Sequence, residues 1–308
     1  MVKKKSAKTC RKKMIVTVIL LLFLIALIAA GSLILLKLMN RKCLITQYAD
    51  MSGNQGSFYT LHTPTGQLIV VDGGYAQNAD YVRAVIEENG NKVDAWIITH
   101  PHPDHVGAFN AIWENPGDIE VSDLYTIEID YSSYQERAEE WDDFGSYETF
   151  HQLTEVFPDL HYLHTGDELK LCGLQIKVLN AYDKEITNSL TSDLANDGSL
   201  MFKVTNKEES MLFCADVGVK ISDFIIAHYK EDLKSDYLQM GHHGNGGLSE
   251  EFYRLVEPKA AFFDAPDWLM NPEDPESTWT TPQNRALMES MGARIYAFST
   301  APNQIQLK

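Results

Sequence analysis

Beyond its first forty-odd residues this chain is poor in positive charge. Of its 26 Lys and Arg, ten (Lys3, Lys4, Lys5, Lys8, Arg11, Lys12, Lys13, Lys37, Arg41, Lys42) fall in residues 1–42, where there is no acid. That leaves 16 against 43 acidic residues over 43–308, a balance of −27. Nucleic-acid binding draws on Lys and Arg that neutralise phosphates, and the outer part has no overall bias that way. Cysteine is scarce too, four in 308 residues, which excludes a disulfide scaffold. Cys172 and Cys214 lie in apolar stretches and read as small core residues, with a disulfide as the lesser alternative. With 44% hydrophobic residues and only 19 Gly and 11 Pro, neither a disordered tail nor a collagen-like fibre fits. No repeat of short fixed period and no low-complexity linker is present. Long apolar runs are nearly absent: there is one, which excludes a polytopic membrane protein.

That single run, Met14 to Leu36, is 23 residues without a charge. At about 1.5 Å per residue it can cross a hydrocarbon core of about 30 Å. Seven basic residues precede it, which places the N-terminus in the cytoplasm. A cleaved signal peptide, with Ala26-Leu27-Ile28-Ala29-Ala30-Gly31 as its cleavage site, is the rival. Leu33-Ile34-Leu35-Leu36 continues the run beyond that site and favours an uncleaved anchor. The expected order is a cytoplasmic basic tail over 1–13, a transmembrane anchor over 14–38 and one extracellular domain over 44–308.

In the outer part, Ile45–Tyr48, Ser57–His62 and Leu68–Val71 read as strands, with Thr63-Pro64-Thr65-Gly66 as the turn between the last two. Ala79–Glu88 reads as a helix stopped by Asn89-Gly90, and Val93–Ile98 as a short buried strand. Strand-like runs return at Leu169–Val178, Leu200–Val204 and Met211–Cys214. Phe252–Val256 and Pro282–Ser290 look helical, Ala260–Phe263 and Arg294–Phe298 extended. This mixture suggests packed sheets with helices outside. Tyr131–Phe157, rich in acids and aromatics, reads either as a helical insertion with a core-facing aromatic stripe or as a lid over a site.

The sharpest feature is Thr99-His100-Pro101-His102-Pro103-Asp104-His105-Val106-Gly107. Imidazole nitrogen and carboxylate oxygen are ligands that borderline divalent metals prefer. Each of the first two histidines precedes a proline, which biases both toward extended backbone and stiffens the loop. Asp104 and His105 would open the next helix. Two more apolar strands end in candidate ligands: Met211-Leu212-Phe213-Cys214-Ala215-Asp216, and Tyr237-Leu238-Gln239-Met240-Gly241-His242-His243-Gly244. Three strands then deliver ligands from one edge, as a loop-built site would.

The pattern resembles the metallo-β-lactamase fold hydrolases. His100-x-His102-x-Asp104-His105 matches their metal motif. Val71-Asp72-Gly73-Gly74 is similar to their first motif, where an Asp supports the metal loop. Asp216 matches the bridging carboxylate and His242 the final histidine. Ala49 to Gly56, Asn196 to Leu200 and Gly241 to Gly244 are similar to the branch holding competence-type DNA-uptake proteins and teichoic-acid phosphorylcholine esterases. The resemblance implies a four-layer αβ/βα sandwich, an α/β (α+β) fold. It also implies two divalent ions, zinc with manganese as the alternative, held by His100, His102, Asp104, His105, Asp216 and His242. A histidine expected between His105 and Asp216 has no match; Asn196, Asp197 or water would stand in its place.

Two such ions about 3.5–4 Å apart would supply hydroxide at neutral pH and neutralise charge on a phosphoryl oxygen. Asp104 and His243 are then the candidate catalytic groups, His243 either as proton donor to the leaving group or as structural support of its loop, and Asp72 orients ligands. The expected function is a membrane-anchored extracellular metal-dependent phosphodiesterase acting on a cell-envelope or other small phosphoester. The alternatives are a competence-type nuclease, which the acidic outer part disfavours, a β-lactam hydrolase, and a metal-bearing binding domain. Asp264 to Pro272, with Trp268 and then Trp279, is expected near the metal edge. It would serve there either as a core cap or as an aromatic wall beside carboxylates.

Overall fold

The computed structural model describes residues 22–28, 31–32, 42–274 and 276–308. Two sheets hold the chain from Lys42 onward. The first takes β1 (Cys43–Gln47), β2 (Phe58–His62), β3 (Leu68–Asp72), β4 (Lys92–Ile97), β5 (Glu120–Thr126) and β6 (Leu160–Tyr162). The second takes β7 (Glu168–Leu171), β8 (Leu174–Asn180), β9 (Met201–Asn206), β10 (Glu209–Phe213), β11 (Tyr237–Gln239), β12 (Ala260–Phe262) and β13 (Arg294–Tyr296). The last strand, β14 (Asn303–Leu307), returns to the first sheet beside β1, giving the orders β14-β1-β2-β3-β4-β5-β6 and β13-β12-β11-β10-β9-β8-β7. Each sheet runs through three antiparallel pairings and then three parallel ones. The parallel strands of both sheets deliver the functional loops.

Alternation of apolar side chains explains the layers. In β3, Ile69 and Val71 face Phe202, Met211 and Phe213 of the opposite sheet, in the core between the sheets. Leu68 and Val70 face the other way, onto Val82, Ile86, Val106 and Phe109 of the helices Ala79–Glu88 and Pro103–Glu114. A strand sends successive side chains to opposite faces, so a strand apolar throughout must be covered twice. On the second sheet Leu212 and Leu238 pack outward against Ile221, Ile225, Phe252 and Val256 of the helices Val219–Leu233 and Glu250–Val256. The result is the helix, sheet, sheet, helix order expected of the fold.

Two readings of the sequence need correction. Leu169–Val178 is a hairpin, not one run: Cys172 and Gly173 both have positive φ, 51° and 84°, as a two-residue turn between β7 and β8 requires. Gly173 is the local mark of this turn, while Cys172 beside it carries no turn signal. Asn303–Leu307, polar at alternate positions, is a strand that went unread. The insertion resolves as the helices Tyr131–Arg137 and Phe144–Val156, with Tyr134, Tyr147 and Phe150 buried and Trp141 exposed. The expected tail and anchor lie almost wholly outside the described residues. Residues 22–28 and 31–32 are helical, and among the described residues no helix is long and apolar enough to cross a membrane.

One close approach places the metal-motif helix. Gly107 lies against the turn after β3, and a Cβ there would fall 2.4 Å from the Ala76 nitrogen and 2.9 Å from the Tyr75 carbonyl carbon. Backbone cannot yield as a flexible side chain can. We expect Gly107→Ala to destabilise the chain by about 1–3 kcal/mol, the usual cost of overpacking. Thermal unfolding checks it, and an unchanged Tm would show that the helix can slide away.

Candidate metal centre

The site lies where β3, β4, β10 and β11 end. In such sheets the crevice beyond the carboxyl ends of parallel strands is where sites form. β4 leads through Ile98 into Thr99 and His100, and His102 caps the helix Pro103–Glu114, with Pro103 in its first turn. Proline is favoured there because its missing N–H would be unpaired anyway. The helix therefore presents Asp104 and His105 from its first turn, as expected.

Asp72, at the end of β3, anchors this loop. Its Oδ1 accepts from the Thr99 backbone N–H at 2.8 Å, and its Oδ2 from Thr99 Oγ1 at 2.9 Å. His105 Nδ1 donates to Asp72 Oδ2 at 2.9 Å. With Nδ1 holding the proton, the lone pair of His105 is on Nε2, the tautomer a metal needs. That Nε2 faces His243 Nε2 and Asp216 Oδ1, both at 3.3 Å. His243 Nε2 in turn lies 3.1 Å from Asp104 Oδ2 and 3.1 Å from Asp216 Oδ2.

Two overlapping ligand sets result: His100, His105 and Asp216, and Asp104, His105 and His243, each with donor atoms within 4.8 Å of one another. All are buried. His100 Nε2 and Asp216 Oδ1 have no hydrogen-bond partner. Buried polar atoms without partners are costly, and a divalent ion satisfies both at once. Imidazole with carboxylate is the donor set such ions take, so the residues fit the expected metals.

Not every expected ligand joins them. His102 Nε2 is bonded to Asp142 Oδ1 at 2.7 Å, and His102 belongs to neither set. Of the two adjacent histidines it is His243, not the expected His242, that falls in a ligand set. Both have left-handed backbone, φ 50° and 57°. The double bend buries His243 among the ligands and leaves His242 at the rim, 37% exposed, with Nε2 3.8 Å from Asp216 Oδ2. Of the two candidates for the unmatched histidine, Asp197 accepts from the Gly218 N–H at 2.9 Å. Asn196 keeps a buried Oδ1 without a partner.

Asp264 is not on a surface beside the tryptophans but fully buried. It accepts from Tyr59 Oη at 2.5 Å, Gln47 Nε2 at 2.6 Å and Gln239 Nε2 at 3.0 Å. Trp268 and Trp279 do not cap the core. They are 45% and 41% exposed, with ring centroids 6.1 Å apart. Trp268 Nε1 donates to the Gly53 carbonyl at 3.0 Å, and two residues on, Gln55 Nε2 donates to Asp104 Oδ2 at 3.3 Å. The aromatic pair is thus one short loop from the ligands. Sequence reasoning missed Asp142 and Gln239, which carry no local signal.

A family model described as the metallo-beta-lactamase superfamily matches residues 52–261. This chain belongs to that superfamily, whose members are generally metal-dependent hydrolases. Among solved structures it is similar to the metallo-beta-lactamase fold protein YhfI from Bacillus subtilis, at 11% identity and TM-score 0.52 over 86% of this chain and 99% of that one. It is also similar to CmlA, a diiron β-hydroxylase from Streptomyces venezuelae, at 13% identity and TM-score 0.55 over 86% of this chain and 54% of that one. At these identities the likeness is one of fold. No curated protein matches the sequence significantly.

The electrostatics set a direction for metal uptake. Burial opposes a charge on His243, but Asp216 and Asp104 outweigh it and push its pKa up to about 10. Burial likewise opposes charge on His105, and Asp216 and Asp72 carry it well above the ordinary range. His243 is thereby held toward its charged form through neutral pH and His105 is shifted the same way, so an arriving ion must displace protons from the ligating nitrogens. Metal binding should release protons, and apparent affinity should climb as pH rises toward about 10, where His243 loses its proton. Titration calorimetry in buffers of different ionisation heat reads both. Uptake without proton release would contradict the ligand assignment.

Proposed function

We propose that this chain is a membrane-anchored extracellular phosphodiesterase that hydrolyses a cell-envelope or other small phosphoester. The observation that carries the hydrolytic reading is the pair of overlapping, buried ligand sets sharing His105. Two divalent ions bound there would lower the pKa of a water to near neutrality and neutralise charge on a phosphoryl oxygen.

The chain's own groups do the rest. Asp72 and Thr99 hold His105 in the ligating tautomer. Gln55 steadies Asp104 from the loop over 50–57. His242, exposed at the rim beside Asp216, has the position to give a proton to the leaving oxygen, the role read for His243 in the sequence. The acidic outer part supports a small or zwitterionic substrate over DNA. The exposed Trp268 and Trp279, beside Asp267, offer ring faces that attract a cationic head group.

The test is hydrolysis by the purified full chain of a neutral chromogenic phosphodiester, a phosphorylcholine ester, single-stranded DNA and a cephalosporin, with zinc or manganese. Hydrolysis of DNA or the cephalosporin alone would overturn the phosphoester reading. Trp268→Ala should raise KM for the phosphorylcholine ester by roughly 2- to 30-fold, the equivalent of about 0.5–2 kcal/mol per ring. The neutral diester should change little. Trp268→Phe keeps the ring but loses the bond to Gly53, and should retain most of the preference. Equal losses on both substrates would show that the loop is only a support.

The anchor is proposed from the sequence, 23 uncharged residues behind seven positive ones. Mass spectrometry of protein extracted from membranes should find residues 1–30 attached. A mature N-terminus near Gly31 would refute the anchor.

A further inference from the structure

Asp264, two residues beyond β12, is fully buried, and its hydrogen-bond partners come from three other strands. Tyr59 Oη of β2 and Gln47 Nε2 of β1 donate to its Oδ1 at 2.5 and 2.6 Å. Gln239 Nε2, at the end of β11, donates to its Oδ2 at 3.0 Å. Burial raises its pKa only to about 6, so above neutral pH it is a carboxylate and accepts only.

That acceptor decides which way the Gln239 amide faces. The NH2 end is taken by Asp264 and by the Met240 carbonyl at 2.9 Å. The oxygen end then faces the Cys214 and Ala215 N–H groups, at 2.8 and 2.9 Å. These two N–H groups belong to the turn that presents Asp216. Ala215 is left-handed, φ 46°, and its carbonyl accepts from the His242 N–H at 2.9 Å. Turned over, the amide would set its NH2 against two N–H donors and release the turn. We infer that Asp264 is a positioning residue for Asp216, acting through the direction it imposes on the Gln239 amide. This rests on the metal reading of the site given above. It gives a carboxylate from the second sheet's interior a part in the metal centre without its being a ligand.

The geometry supplies discriminating variants. In Asp264→Asn, two donors at 2.5 and 2.6 Å hold the amide oxygen on the Oδ1 side against one at 3.0 Å on the other. The new NH2 therefore faces Gln239 and turns its amide over. Adding Gln239→Glu supplies an acceptor to both sides at once, to the new NH2 and to the Cys214 and Ala215 N–H groups. Tyr59→Phe removes a buried donor to the same carboxylate but leaves Gln47 on Oδ1, so Gln239 keeps its direction. A merely structural network predicts otherwise: zinc affinity would follow stability, and the second substitution would add to the loss.

The experiment uses the detergent-solubilised full chain above neutral pH, Zn²⁺ in competition with a chelator, and thermal unfolding of the metal-free protein. Asp264→Asn should weaken binding of one zinc by about 10- to 100-fold, the usual effect of losing an outer support of a ligand. Asp264→Asn/Gln239→Glu should recover most of that affinity. Tyr59→Phe should lower the metal-free Tm and leave zinc affinity near that of the wild type. In the metal-free wild type, amide hydrogen exchange at Cys214 and Ala215 should be slow, a reading that needs no variant to fold. Zinc affinity that falls in step with Tm across the variants, or fast exchange at those two amides, would overturn the inference and leave the metal reading standing. A wild-type chain that takes up no zinc would overturn both.

Discussion

Three carboxylates buried in one seam, Asp72, Asp104 and Asp216, set the terms for the surrounding loops. An isolated buried charge costs several kcal/mol unless it is paired and hydrogen-bonded. Asp72 meets this need with three protein donors, two from Thr99 and one from His105. Asp104 and Asp216 are less well supplied. They share His243, with only Gln55 Nε2 added at Asp104 and His105 Nε2 facing Asp216 at 3.3 Å, and Asp216 Oδ1 makes no hydrogen bond. The seam is therefore built short of positive charge. The neighbouring carboxylates push His105 and His243 toward the charged form, and a divalent ion would supply the same positive charge. The metal motif thus follows from the electrostatics of the seam as well as from family resemblance.

Holding those groups requires strained backbone. Asp72, Ala215, His242 and His243 all have positive φ, between 46° and 57°, at a cost of order 1–3 kcal/mol each. Such strain persists only where the surroundings over-determine it. A buried polar network does so for Ala215. Gln239 Oε1 accepts from the Cys214 and Ala215 N–H groups at 2.8 and 2.9 Å, while its Nε2 donates to Asp264 and to the Met240 carbonyl. Gln47, from the other sheet, donates to the same Asp264 and to the Phe263 carbonyl. Burial pushes the Asp264 carboxyl up to about 6. The turn that presents Asp216 is thus pinned across the whole sandwich by one glutamine from each sheet.

What the sequence disclosed and what it hid divide along this line. His100, Asp104, His105 and Asp216 were legible because each follows an apolar strand within a few residues, so local pattern fixes where they emerge. Their fold was legible through the same alternation, as in Leu68 to Val71. Which of His242 and His243 turns inward was not legible because two successive left-handed residues set it, and nothing in Gly241-His242-His243-Gly244 marks that double bend. Asp142 and Gln239 were hidden because their partners lie 40 and 24–25 residues away. Their roles exist only once the elements have packed. Asp264 and Trp268 were read together as one surface, yet the strand end buries the first and the helix after it exposes the second.

The two sheets repeat one pairing order, and this governs how the ligands can work. The half ending at β6 contributes His100, Asp104 and His105; the half ending at β13 contributes Asp216 and His243. Each ligand set draws from both halves, so an ion bound there links the two sheets at their open edge. Binding to the native state alone adds to stability. It is not what creates the fold, because Ile69, Val71, Phe202 and Phe213 already fill the core between the sheets without it. Structural zinc sites are closed by four protein ligands because folding depends on them, whereas catalytic sites keep a position open. A sandwich whose apolar core is complete can leave coordination incomplete. Where a further histidine was expected along the chain stand Asn196 and Asp197, and Asp197 is already committed to the Gly218 N–H, so neither closes a ligand set.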